Sequence, residues 1–230
     1  MTLSNPEQYD AWYQTARGEW IGQQEYRLVR RYLGPRPHET VLDSGCGTGF
    51  FTRCFANDQD ANVVGIDPDP EAIRYARLHA ARAEEYAVAK GESLPFPSHS
   101  FDLSVSITAL CFADDQPQFL GELARVTRRR LAVGLLNRHS LLWLKKGRHG
   151  GTGAYQGARW HTLREARRLF TEAGLPTPVV RTAVNLPSGN AASRLLERLI
   201  PKSFPWGGFL LLVCNVSDES NSQFSVWVRD

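Results

Sequence analysis

Short apolar runs that close on an acid alternate, over the first part of the chain, with longer stretches of helical spacing. Glu39 to Asp43 predicts a first strand, and Asn62 to Ile66, followed by Asp67, a second. Ala87 to Ala89, Phe101 to Ile107 and Arg130 to Leu136 predict three more. Helices are expected between them: Trp20 to Leu33, about Phe50 to Asn57, about Glu71 to Tyr86, and Pro117 to about Thr127. The first of these stops at Gly34-Pro35-Arg36-Pro37, where two prolines end the helix and launch an extended segment. Alternation of this kind predicts a parallel sheet with helices on both faces, a doubly wound α/β domain.

Beyond Asn137 the pattern changes. His139 to Trp160 carries Gly147, Gly150, Gly151, Gly153 and Gly157, and is expected to be a mobile or ligand-ordered loop. Thr162 is placed to cap a helix that runs to about Ala173, with Gly174 after it. Val179 to Leu186 and Phe209 to Val216 are expected strands flanking a helical insert, Ala191 to Ile200, which Pro201 and Pro205 terminate.

The 230 residues are 42% hydrophobic and 22% charged, ordinary for one globular domain. No apolar run approaches the roughly 18 residues of a membrane span. Met1 to Asp10 has neither a cationic start nor an apolar core, so a signal peptide is not supported and a cytoplasmic location is expected. Cys46, Cys54, Cys111 and Cys214 lie far apart without zinc-ligand spacing, and are read as buried thiols with no metal. The net charge of +3 hides an asymmetry: Arg125 to Arg168 holds twelve Lys or Arg against the one acid Glu165. Such a segment raises the case for an anionic partner.

The chemistry concentrates at Val41-Leu42-Asp43-Ser44-Gly45-Cys46-Gly47-Thr48-Gly49. A glycine turn between a strand and a helix lets backbone N–H groups approach a nucleotide. The spacing is G-x-G-x-G, and Phe50 and Phe51 follow where a dinucleotide site has its third glycine. A nicotinamide oxidoreductase is therefore disfavoured. Asp43, at the end of the first strand, would repel a pyrophosphate and attract an ammonium and a sulfonium. Asp67 closes the second strand, where an acid accepts ribose hydroxyls.

These residues resemble the class I S-adenosylmethionine-dependent methyltransferases, and in particular the small-molecule enzymes similar to the ubiquinone-biosynthesis type. VLDSGCGTG (41–49) looks like the family's first motif, VVGIDPDP (63–70) its second, GESLPFPSHSFDLSVS (91–106) its adenine-side loop and fourth strand, and RVTRRRLAVGLLN (125–137) the approach to its fifth. The resemblance implies a Rossmann-like seven-stranded sheet of order 3-2-1-4-5-7-6 with strand 7 antiparallel. One domain is implied: an N-terminal helical lid (1–37), a cofactor core (38–137), and an acceptor-side loop with C-terminal strands (138–230). S-adenosylmethionine is the implied cofactor and S-adenosylhomocysteine the product. Asp43 with Gly45, Cys46, Gly47, Thr48 and Gly49 would hold the methionine moiety, Asp67 the ribose and Pro68 an adenine face. Glu92, where the family more often has Asp, would face the adenine amino group beside Ser93 and Leu94. Ile107 and Thr108 would flank the methyl donor.

Methyl transfer from a sulfonium is an in-line displacement, so a dedicated base is needed only when the nucleophile must first lose a proton. No catalytic residue is assigned. Ile107-Thr108-Ala109-Leu110 lacks the Asn/Asp-Pro-Pro-aromatic run of exocyclic base-amine enzymes, and Cys111 is read as structural. Tyr9, Trp12 and Tyr13 are expected to close over the methionine and the acceptor, with Arg17 meeting a carboxylate. Across the crevice, Tyr155, Trp160 and His161 are candidate substrate contacts, as are His139 and His149. The favoured function is transfer to a small anionic or aromatic acceptor by a monomer or homodimer. An RNA or protein methyltransferase docking through residues 125–168 and a non-catalytic cofactor-binding homologue are the alternatives.

Overall fold

A computed structural model describes residues 5–59, 61–82 and 84–216 of the chain. Seven strands, β1 (Thr40–Ser44), β2 (Asn62–Asp67), β3 (Glu85–Val88), β4 (Phe101–Ile107), β5 (Thr127–Leu136), β6 (Val179–Ala183) and β7 (Phe209–Asn215), form one sheet in the order β3-β2-β1-β4-β5-β7-β6. Neighbours are parallel except β7, which runs against both β5 and β6. This is the expected order and polarity. All seven residues of β7 and the run Leu131 to Leu136 of β5 are buried, as strands covered on both faces require.

Eight helices are α1 (Pro6–Gln14), α2 (Ala16–Leu33), α3 (Phe50–Gln59), α4 (Pro70–Leu78), α5 (Gln116–Val126), α6 (Leu141–Lys146), α7 (Leu163–Glu172) and α8 (Ala191–Leu199). Successive side chains of β7 alternate between two cores. Phe209, Leu211 and Val213 meet Tyr26, Val29 and Leu33 of α2 and Phe51 and Phe55 of α3. Leu210, Leu212 and Cys214 meet Phe119, Leu120 and Leu123 of α5 and Phe170 of α7. Period-two alternation thus builds a three-layer sandwich. Ile21, Tyr26, Leu28, Val29, Tyr32 and Leu33 of α2 belong to its core, and Trp12 and Tyr13 of α1 pack against it.

Four boundaries differ from expectation for identifiable reasons. The helix expected to run from Glu71 to Tyr86 ends at Leu78, because the Glu84 carboxylate accepts the Ala81 and Arg82 N–H groups and closes a turn. The third strand follows at Glu85–Val88, earlier than Ala87 to Ala89. Residues 139–160 are not a bare loop: Ser140 caps α6 by accepting the Trp143 N–H, and two 3-10 turns follow. Strand β6 stops at Ala183 because buried Glu197 takes the Val184 and Asn185 N–H groups out of the ladder.

Cys46, Cys111 and Cys214 are buried free thiols, and Cys54 is half-buried. Among the described residues no helix is long and apolar enough to cross a membrane, and no cluster of His, Cys, Asp and Glu is arranged for a metal.

Candidate active site

The sheet order reverses between β1 and β4, so the loops after those strands face one crevice at their carboxyl ends. They touch: a Cβ on Gly45 (φ +81°) would lie 2.0 Å from the Ala109 Cβ. A Cβ on Gly49 (φ +84°) would meet the Tyr86 hydroxyl at 2.6 Å, whereas nothing lies within 4 Å of one on Gly47. The middle of the glycine loop therefore borders open space while both ends are clamped. Across from it, Thr108 adopts φ +62°, an unfavourable conformation for a β-branched residue, pinned by its N–H to the Gly134 carbonyl at 2.9 Å.

Two carboxyls line this crevice. Asp43 is 2% exposed and accepts the Thr52 hydroxyl at 2.7 Å; burial pushes its pKa up to about 7. Asp67 accepts the Gly47 N–H at 2.9 Å through one oxygen and the Asp69 N–H at 2.9 Å through the other. It thereby ties the glycine loop to the end of β2, and burial raises its pKa also. Neither has a cationic side chain in contact among the described residues. Ser44, Thr48 and Ser106 bury hydroxyls without partners. Buried acids lacking counter-ions, orphaned hydroxyls and an open face over Gly47 fit a cationic nucleotide and not a pyrophosphate.

Of the residues expected to face an adenine, Leu94 is buried, Ser93 and Pro68 are exposed, and Glu92 is half-buried. The Glu92 carboxylate accepts the Asp114 N–H at 3.0 Å, so its reach is anchored while lone pairs remain. Leu94 is positioned through its own N–H, which Glu122 accepts at 2.8 Å. Cys46 is buried with its thiol pKa raised well above the ordinary range, and is inert.

Helix α1 lies over the glycine loop, latched by Arg53. That guanidinium donates to Asp10 at 2.9 Å and to the Thr48 carbonyl at 2.7 Å. Tyr13 stacks on Phe50 (3.9 Å, 10°) and meets Trp12 edge-on at 4.9 Å. Arg17 donates to the Pro187 carbonyl at 2.7 Å and lines a cavity of about 170 Å³ with Leu142, Lys145, Lys146, Pro187 and Ser188. Tyr155 is half-buried, its ring 5.5 Å from that of Trp160.

Two candidate contacts turn inward. Trp160 is 6% exposed within the core that includes Cys111 and Phe170. His161 is 5% exposed, bonded through Nε2 to the Gln116 side chain at 3.1 Å, and burial lowers its pKa to about 4. It is a poor base, and it fastens the returning loop to the start of α5. His139 and His149 are exposed.

The basic segment also resolves differently from its appearance in sequence. Arg125 pairs with Glu122, Arg128 with Asp102, and Arg129 with Glu39, while Arg130 bonds Asn215 and the Tyr32 and Leu33 carbonyls. All four lie at the amino-terminal approach to β5, the opposite end of the sheet from the glycine loop. Arg138 is held by Glu165 and the Trp160 carbonyl. Lys145 and Lys146 line the cavity beside Arg17, Arg148 lies over the Trp143 ring, Arg159 donates to the Asp114 carbonyl, and Arg164, Arg167 and Arg168 belong to α7.

Sequence reasoning missed Glu25. It lies on α2 between buried Ile21, Gly22 and Tyr26, and burial pushes its pKa up to about 8. An acid on the apolar stripe of an amphipathic helix was the available signal.

The family described as methyltransferase domain matches residues 42–130. An uncharacterized methyltransferase of Mycolicibacterium gilvum is 33% identical over 182 residues, covering 73% of this chain and 68% of that protein. A malonyl-[acyl-carrier protein] O-methyltransferase of Hahella chejuensis is 33% identical over 141 residues, covering 60% of this chain; the chain spans about half, 50%, of that relative's length. The structure of a Thermotoga maritima S-adenosylmethionine-dependent methyltransferase, described as a candidate histamine N-methyltransferase, superposes with a TM-score of 0.73 at 24% identity, covering 92% of this chain and 95% of that one.

Proposed function

Because the chain belongs to the class I S-adenosylmethionine-dependent methyltransferases, we propose that it methylates a small molecule enclosed between α1 and the loop after β5. Asp43 and the Gly45–Gly49 backbone bind the methionine end of the cofactor, and Cys46 and Thr48 shape that wall. Asp67 accepts from the ribose with the lone pairs its two backbone bonds leave free. Pro68 covers an adenine face, and Glu92, Ser93 and Leu94 take the amino edge. Ile107 and strained Thr108 border the methyl group, with Tyr13 above. When bound, S-adenosylmethionine supplies an electrophilic methyl carbon on a sulfonium. The protein's part is to hold donor and acceptor collinear and to exclude water.

The observation that carries the cofactor assignment is the pair of acids at the ends of β1 and β2, buried Asp43 and half-buried Asp67, beside a glycine loop whose middle, Gly47, borders open space. Aromatic side chains support a small acceptor: Trp12 and Tyr13 of α1 pack edge to face beside Phe50, and Tyr155 of the loop after β5 is half-buried beside Trp160. Four of the arginines that suggested a polyanion, Arg125, Arg128, Arg129 and Arg130, are engaged at the far end of the sheet. An aromatic or apolar body suits these walls, and Arg17 with Lys145 and Lys146 offers a site for an anionic tail. The related proteins do not choose for us, since one is named a malonyl-[acyl-carrier protein] O-methyltransferase and another is described as a candidate histamine N-methyltransferase.

Calorimetric titration with S-adenosylhomocysteine and, separately, NAD tests the cofactor. Binding of the first alone is expected; binding of NAD, or of neither, overturns the assignment. Titration with RNA at rising salt tests the acceptor class. Tight binding with a steep salt slope would replace the small-molecule reading.

A further inference from the structure

Glu25 sits one turn along α2 from Gly22, on the same side of the helix. A Cβ on Gly22 would lie 2.7 Å from Phe50 and 3.1 Å from Tyr13, so the stacked Tyr13–Phe50 pair lies directly on this face. Tyr9, one turn before Tyr13 on α1, meets it edge-on at 5.8 Å. Tyr155 comes from the loop after β5. These three tyrosines, from two separate elements, are the groups whose phenols feel the Glu25 charge. Glu25 itself has no hydrogen-bond or ion-pair partner among the described residues, yet it keeps some exposure to solvent.

The remaining charges around this cluster are accounted for. Asp67 and Asp10 act on Tyr9, and Asp10 is neutralised by Arg53. Arg17, the cation that acts on Tyr155, is held by the Pro187 carbonyl. None of these supplies Glu25 with a counter-charge.

We propose that Glu25 and the tyrosines Tyr9, Tyr13 and Tyr155 form the acceptor site for a protonated amine, and that Glu25 takes the amine's proton. The inference rests on the methyltransferase reading above. Aromatic faces attract an ammonium through their quadrupoles, and a carboxylate completes the cage. Burial raises the carboxyl toward the working pH, where it is an effective proton acceptor. In a dry site the neutral pair of amine and carboxylic acid is favoured over the ion pair. The proton therefore passes from the ammonium nitrogen to a Glu25 oxygen, leaving a free lone pair on nitrogen. That lone pair forms the new N–C bond while the C–S bond breaks and its electrons remain on sulfur. The methylated product leaves as a cation, and Glu25 keeps the proton it took from the amine, which restores the protonated form it had before amine binding displaced its own proton to water.

The test is calorimetry on full-length protein saturated with S-adenosylhomocysteine, using 2-phenylethylamine, 2-phenylethanol and 3-phenylpropionate as matched probes. The amine is expected to bind at least tenfold more tightly than either analogue. At pH 7 its binding should expel close to one proton, read as a dependence of the observed heat on the buffer's ionisation enthalpy. Glu25→Gln, nearly isosteric and robbing no partner, should abolish both the preference and the proton release while keeping S-adenosylhomocysteine affinity within about threefold. Equal binding of the three probes, no amine binding, or unchanged behaviour in Glu25→Gln overturns the proposal. Loss of S-adenosylhomocysteine affinity in that variant would instead assign Glu25 to the cofactor. Failure of the wild type to bind S-adenosylhomocysteine would sink the underlying reading.

Discussion

Replacing Asp43 by Asn should make the cofactor-free protein more stable and the cofactor-bound protein weaker. Burial holds the Asp43 pKa at about 7, whereas an unfolded aspartate titrates near 3.9. Between those values the folded state binds the proton more tightly, so stability falls as pH rises from about 4 to about 7 and is flat above. Three units at 1.36 kcal/mol each set an upper bound of about 4 kcal/mol at pH 8. By the same linkage only about 1.5 kcal/mol has developed at pH 5. Asn keeps an oxygen for the Thr52 hydroxyl and never ionises. For a chain of this size the gain at pH 8 corresponds to a Tm rise of up to about 10 °C, shrinking to a few degrees at pH 5. Scanning calorimetry of both proteins at the two pH values measures this directly, and S-adenosylhomocysteine titration should show weaker binding by Asp43→Asn. A Tm difference that is negative, or identical at pH 5 and pH 8, would refute the claim that Asp43 is held uncompensated in a site awaiting a cation.

Three further outcomes follow from the geometry. Gly45→Ala drives a methyl into Ala109 and should cost well over 2 kcal/mol, while Gly47→Ala meets nothing and should cost only the roughly 1–2 kcal/mol of left-handed strain; chemical denaturation of the two separates them. Glu197→Ala strands the Val184 and Asn185 N–H groups and should cost about 3 kcal/mol in the same assay. Because the His161 pKa is lowered to about 4, its contribution to stability is complete above about pH 6.5 and is lost as pH falls toward 4. Tm profiles of His161→Gln should accordingly be flatter than wild type by about 3 kcal/mol equivalent across that acid range.

Much of the scaffold was legible because it is written locally. Phe101 to Ile107 is an apolar run with no competing breaker and is a strand over that span. Thr162 and Glu165 form a reciprocal capping box, so α7 begins where the sequence says it must. The glycine loop was legible for the same reason: G-x-G-x-G after a strand has few conformational uses. Failures arose where a carboxylate side chain took backbone N–H groups, from within the same turn in one case and from a later helix in the other. Glu84 cut α4 short, and Glu197 cut β6 short, each by offering a carboxylate to backbone N–H groups that a helix or strand would otherwise use.

The candidate site divides along the same line. The placement of Asp43, Asp67 and the glycines beside one crevice could be read in advance because it depends on the strand ends that carry them. The meaning of the basic segment could not, because Arg129 finds Glu39 and Arg130 finds Asn215 only once β5 lies beside β7 and against α2. Nor could His161, whose imidazole looks available in sequence and is bonded to Gln116 in the core. The sequence by itself determined the alternation of strands and helices, the glycine loop and the two acids at the strand ends, since hydrophobic period and backbone freedom act over a few residues. Tertiary structure alone decided which charges are spent inside the fold and that Glu25 stands unpaired among tyrosines, since burial and counter-charge come from residues remote in the chain.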